Sequence, residues 1–380
     1  MINKSINFKI CLFLLFTFLI IFFSNSHFTF IETLTYGGAD GASYLSISKA
    51  SPNITLEKIT PIHSERFFFP YLIGILSKIF NFEIFYLYKL FVVINLILIN
   101  FYLYKIFKLI KIDNQMIFLV LSIINFNPYF SRFYIAVPTI INDLFLILGF
   151  TIVIYNITNH KVNNSSLLIG SAISFASRQT SIALIIAYLT VYFFLKKRII
   201  NFKYEVYISS LFILFLILSF YYSSHTFDTP GYRQDLYSFE TRVLGLFLQK
   251  TSLNEKLIFL LFPILSYGPL LIFLVLFRRF NFNLKELIKS EKIIYLVILT
   301  TLVFLQPILS GPEISGRNII RLTTLGISPF VVLIFLITKE RNFKFKKLKL
   351  IILFYIIIFF HSFHPTFSNI DIFEFLKINS

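Results

Sequence analysis

Residues 84–104, IFYLYKLFVVINLILINFYLY, carry a single charge, at Lys89. At about 1.5 Å per residue, about twenty helical residues cross the roughly 30 Å hydrocarbon core of a bilayer. Comparable apolar runs lie at 10–23, 205–222, 257–277 and 318–338. Only 14% of the 380 residues are charged and 57% are hydrophobic, whereas soluble domains carry about 25% charged residues. The expected fold is an all-α polytopic membrane protein, a single integral domain over 1–380. It places about 11 spans, at 8–25, 84–104, 115–131, 134–155, 166–178, 180–195, 205–222, 257–277, 293–310, 318–338 and 349–362.

Charge orients these spans. Alternating the loops puts 21 of the 35 basic residues on one face with five of the 18 acids. Lys105, Lys108, Lys111, Lys196, Lys203, Arg278, Lys292 and Lys339 belong to that face. A lysine- and arginine-rich face is cytoplasmic, which also makes the N-terminus cytoplasmic. The formal charge of +17 thus serves topology and anionic headgroups and needs no nucleic acid. The first apolar segment reads as an uncleaved span, since it lacks a small-x-small cleavage site. The expected location is a bacterial inner membrane. Cys11 is the single cysteine, so neither an internal disulfide nor a cysteine metal cluster is expected.

Two large outer loops follow from this topology, about 26–83 and 223–256, and form the expected cap of an active site. Residues 67–80, FFFPYLIGILSKIF, are apolar but short of the hydrocarbon thickness, and read as an interfacial helix. Residues 166–195 read as two short spans turning at Ser177-Arg178-Gln179-Thr180, because an arginine suits an outer turn better than mid-membrane.

The polar residues in costly places all fall toward the outer face. Tyr36-Gly37-Gly38-Ala39-Asp40-Gly41 is too polar for lipid and reads as a bending loop that presents Asp40. His63, Glu65 and Arg66 share its loop, and Arg132 and Arg178-Gln179 sit at outer turns. Asp143 falls about nine residues into the fourth span, counted from 134. Tyr232, Arg233, Asp235, Glu240 and Arg242 lie in the second loop, and Glu313, Arg317 and Arg321 in the turn SGPEISGRNIIR. Charges at such depth are functional candidates because burying them unpaired costs several kcal/mol. Plainer roles stand beside these. Asp40 is also a solvated turn acid, the arginines are interfacial anchors, Asp143 is an arginine's partner, and Glu313–Arg317 is a helical pair. His63, His225, His361 and His364 form no metal motif, and no cofactor is expected. Several arginines and a few acids around one outer cavity suit an anionic, phosphate-bearing ligand.

The order of GGADGASYL, HSERFFFPYLIGIL and arginine-bearing outer turns resembles the GT-C superfamily of polytopic glycosyltransferases. Arg66-Phe67-Phe68-Phe69-Pro70 is similar to that family's arginine-to-proline step into an interfacial helix, and Ala176-Ser177-Arg178-Gln179-Thr180 to its arginine turn. The resemblance implies a polyprenyl-phosphate-linked sugar donor and an inverting transfer. It makes Asp40 the base and Arg66, Arg178 and Arg317 phosphate contacts. Glu313 or Asp235 would hold sugar hydroxyls, with Asp143, Tyr232 and Arg233 as further substrate contacts. The family's acid often stands as a pair, whereas Asp40 stands alone. The chain ends soon after its last apolar run, which favours a lipid-linked or small glycan acceptor over a protein. A transporter or flippase of lipid-linked glycans would use the same arginines without needing Asp40 as a base, and a glycan polymerase would need its key arginines in the large outer loops, where Arg233 and Arg242 lie.

Overall fold

The computed structural model describes residues 38–55, 59, 61–127, 130–159, 163–196, 199–226, 239–280, 290–315 and 318–340. The expected spans at 8–25 and 349–362, together with Tyr232, Arg233, Asp235 and Arg317, lie outside the described residues. The side chains of Arg132, Glu240, Arg242 and Glu313 lie outside them too.

The chain is helical. The helices are α1 (Gly38–Ala50), α2 (Pro61–Ser64), α3 (Phe68–Phe80), α4 (Ile84–Leu109), α5 (Asn114–Asn125), α6 (Ser131–Ala136), α7 (Ile141–Thr158) and α8 (Asn164–Ser177). They continue as α9 (Ile182–Leu195), α10 (Phe202–Thr226), α11 (Phe239–Leu248), α12 (Leu253–Ser266) and α13 (Gly268–Phe277). The last four are α14 (Glu291–Leu309), α15 (Gly311–Ile314), α16 (Ile319–Thr324) and α17 (Ile327–Ile337). Among the described residues, four helices are long and apolar enough to cross a membrane: Ile84–Leu109, Pro138–Thr158, Phe202–His225 and Glu291–Leu309. One departure from an all-helical chain is a short antiparallel pair, β1 (Arg278–Phe280) with β2 (Thr338–Glu340). It ties the ends of α13 and α17 together, and Arg278 donates from Nε to Thr338 Oγ1 at 2.9 Å.

Several expected runs are broken, each for a local reason. The run at 134–155 is two pieces, because Pro138 starts a new helical stretch and the residue before a proline avoids the α region. Val137 accordingly sits at φ −122°, ψ 68°. The run at 257–277 breaks at Tyr267 before Gly268-Pro269, and 318–338 breaks at Leu325-Gly326. The interfacial segment is a helix, α3, which buries Phe69, Pro70, Ile73 and Gly74 on one face. Asn81, in the left-handed region at φ 49°, ψ 46°, ends it.

The centre of the bundle is α7, buried over nearly its whole length. It packs on α8 where Gly149 faces Gly170 and Ser174; a Cβ at Gly149 would collide with the Gly170 carbonyl. Small residues let two backbones close to this distance, and dispersion then holds them together. Helix α14 runs antiparallel to α7. Lys292 at its start donates to the Thr158 carbonyl at the end of α7, at 3.0 Å. Gln306, near its other end, reaches Thr180 just after the turn that holds Arg178, at 2.8 Å. From Lys292 to Gln306 is about 20 Å of helix rise. Asp143, at the start of α7, therefore lies at the opposite end of the bundle from Lys292.

Candidate functional site

Four separate pieces of chain bring polar side chains to one place. Asp40 is in the first turn of α1, His63 near the end of α2, Arg178 at the cap of α8, and Arg321 on α16. The stretch around Asp40 is a helix and not the bending loop its glycines suggested. Gly41 serves close packing instead. A Cβ there would sit 2.8 Å from Thr139 Oγ1, in the turn Pro138–Ile140 just before α7. Ser48, two turns on, fastens α1 to its neighbours through the Pro70 carbonyl at 2.7 Å and the Tyr88 hydroxyl at 2.6 Å.

Asp40 accepts two bonds. His63 Nε2 donates to Oδ1 at 2.7 Å, and Arg321 Nη2 to Oδ2 at 2.9 Å. An ionised carboxylate only accepts, so Nε2 of His63 carries the hydrogen. The other ring nitrogen lies 3.1 Å from Ser43 Oγ, one turn along α1. Both edges of the imidazole are thus held by α1, and Tyr44 packs edge-on at 5.5 Å between centroids. Burial opposes ionisation of Asp40. The His63 hydrogen bond and the Arg321 guanidinium outweigh it and hold the carboxyl well below the usual carboxylate range.

Asp143 is 1% exposed. It is not mid-span but in the first turn of α7, where the helix dipole favours an anion. It pairs with Arg178 Nη1, and its other oxygen lies 3.5 Å from Arg321 Nε. Asp143 is thus the arginine partner that its charge allowed. Arg321 bridges Asp40 and Asp143 and lies over the Phe133 ring at 5.7 Å. Arg66 donates from Nε to Gln179 Oε1 at 3.3 Å, and Gln179 donates in turn to Glu65 at 2.8 Å. Among the described residues no carboxylate lies within ion-pair range of Arg66. Asn142 anchors the backbone here by donating to the Arg66 carbonyl at 2.9 Å.

These groups line a cavity of about 200 Å³. Its acidic and arginine walls are Asp40, Glu65, Arg66, Arg178 and Arg321, and its other polar walls are His63, Gln179, Gln306, Ser310, Ser315 and Asn318. Asp143 stands behind the wall and holds two of its arginines. One buried donor, Arg178 Nε, makes no hydrogen bond, while Arg321 Nε stands 3.5 Å from the carboxylate of Asp143. Unmet charged donors beside a cavity are an invitation to an anion. The volume is below the about 300–1,000 Å³ of a drug-sized pocket. Among the described residues, no three His, Cys, Asp or Glu side chains gather as a metal ligand set.

The structure therefore brings together Asp40, Arg66, Arg178 and Asp143 from the residues picked out in the sequence. Arg321, also singled out in the turn SGPEISGRNIIR, joins them, while Arg317 lies outside the described residues. His63, Glu65 and Gln306 also belong to the site. The first two had a signal, being polar residues beside Arg66 in an apolar chain. Gln306, inside an apolar run, had almost none. Comparison with family models, curated proteins and solved structures gives no match to the chain.

Proposed function

We propose that the chain is a membrane glycosyltransferase that moves a sugar from a polyprenyl-phosphate donor to a lipid-linked or surface glycan acceptor. The observation that carries this reading is one carboxylate, Asp40, opening into a cavity whose other charged walls include three arginines. An acceptor hydroxyl is a poor nucleophile until a base within reach takes its proton. Asp40 Oδ2 takes that proton as the acceptor oxygen bonds to the sugar's anomeric carbon. The bond from that carbon to the phosphate oxygen breaks, and its electron pair leaves with the phosphate. Arg66, Arg178 and Arg321 then meet the growing charge, a role for which planar guanidinium forks are suited. A single displacement inverts the anomeric carbon.

The cavity lies at the end of α7 and α14 away from Lys292, the end opposite the basic loops. By the positive-inside rule that end is extracytoplasmic, so we place the reaction on the outer face of an inner membrane. A transporter of lipid-linked glycans is the competing reading. Asp143 most favoured it, and stands instead at a helix start, paired to Arg178. The test is to compare lipid-linked glycans by mass spectrometry in cells with and without the chain. Glycans one sugar short in its absence support transfer. Complete glycans accumulating on the inner leaflet would favour transport.

A further inference from the structure

Arg321 holds Asp40 in a way that cannot persist during the reaction just described, on which this inference rests. Its Nη2 lies on Oδ2 of Asp40, the oxygen not already taken by His63. A base whose free oxygen is occupied by a guanidinium is masked. Arg321 also has a second carboxylate partner. Asp143, at the rigid start of the buried α7, stands by its Nε side at 3.5 Å. Asp143 also holds Arg178, whose own Nε is buried, unbonded and beside the cavity. The two guanidiniums thus share one anchor behind the wall, and both arginines line the cavity.

We infer that Asp40 and the donor's phosphate compete for Arg321, so that the base is unmasked only when a phosphate-bearing donor is seated. A phosphate presents more charge and more acceptor oxygens than one carboxylate, so it draws the Nη end of Arg321 into the cavity. The guanidinium turns about its Asp143 side. Oδ2 of Asp40 is left facing the acceptor, while Oδ1 remains on His63, which keeps the carboxylate aimed. The consequence is an ordered reaction, donor before acceptor activation, which keeps the base masked in the empty enzyme.

The exchange makes an unusual prediction, that removing a catalytic carboxylate improves binding of an anion. The full chain, purified in detergent, is titrated calorimetrically with two probes, inorganic phosphate and farnesyl phosphate. Asp40→Asn is expected to bind farnesyl phosphate about tenfold more tightly than wild type, because Arg321 no longer gives up a charge-assisted bond. Arg321→Gln is expected to bind it more weakly and, combined with Asp40→Asn, to abolish the gain. If inorganic phosphate shows the same pattern, the recognised group is the phosphate itself; if only farnesyl phosphate does, the chain contributes too. Either result fits the exchange. Unchanged or weaker binding by Asp40→Asn overturns it and leaves the transferase reading standing. A wild-type protein that binds neither probe overturns both. Arg321→Lys guards against a misfolded glutamine variant. It keeps the charge and loses the fork, and a tenfold gain persisting in its Asp40→Asn double variant would also count against the exchange.

Discussion

Two buried polar clusters lie in the same bundle, and they are built differently. On α4 and α5, Asn100 and Asn125 exchange amide hydrogen bonds at 3.0 and 2.6 Å, and Ser131 donates to Asn125 at 2.9 Å. Their remaining amide hydrogens go to Leu96 and Leu121 carbonyls one turn back. That cluster is neutral, closed and complete. The cluster around Asp143 is charged, borders a cavity and leaves Arg178 Nε without a hydrogen bond. A satisfied network rigidifies a bundle, whereas an incomplete one costs stability and is retained where a ligand completes it.

The largest effect should come from the charged cluster. Asp143→Ala removes the anchor of two buried guanidiniums, and breaking a buried ion pair costs about 3–5 kcal/mol. Thermal unfolding in detergent should show the protein severely destabilised or unfolded. A near-wild-type melting temperature would mean that water already reaches these arginines. Next comes the closed pair. Asn125→Leu strands the Asn100 amide and should cost about 1–3 kcal/mol. The double change with Asn100→Leu should recover part of that loss, since both partners become apolar. Neither change should alter the glycan product once stability is restored, and a changed product would erase the distinction between the clusters.

Acid offers a gentler probe. Asp40 ionises far more readily when folded than an ordinary carboxylate, through His63 and Arg321 against the penalty of burial. Its stabilisation is therefore complete above the unfolded pKa of about 3.9 and is lost as pH falls below that value. Wild type should lose melting temperature there, and Asp40→Asn should lose less. An identical acid profile for the two would mean that the Asp40 pairs add nothing to the fold. The smallest expected effect on stability is that of Gly41→Ala. Its new methyl meets only the end of the Thr139 side chain, which can turn aside. Melting and glycan transfer should both hardly move, because Thr139 yields and α1 keeps Asp40 in place. A clear loss of transfer would show that α1 shifts instead and that its position is critical.

The fold was legible where one physical demand dominates. The run at 84–104 had to be a helix of bilayer length, and α4 extends five residues beyond it to Leu109. Breaks were harder to read, because Pro138 and Gly268 interrupt runs whose apolar content does not change. The break at Pro138 matters most, since it moves Asp143 from the interior of a span to a helix start. In the site, Asp40, Arg66 and Arg178 were conspicuous as charges that an apolar chain could not carry idly. Between Arg317 and Arg321 the sequence offered no local basis for choice, and the described residues include only Arg321. Both lie on one short stretch of chain, and it is the packing of α16 against α12 and α14, far apart in sequence, that carries Arg321 to the acids.

The central claim is that Asp40 performs chemistry in this cavity. The most direct measurement is the mass of the lipid-linked and surface glycans in cells lacking the chain, restored with wild type or with Asp40→Asn at matched protein level. The account predicts complete glycans with wild type and glycans one sugar short with Asp40→Asn. Full restoration by Asp40→Asn would contradict it.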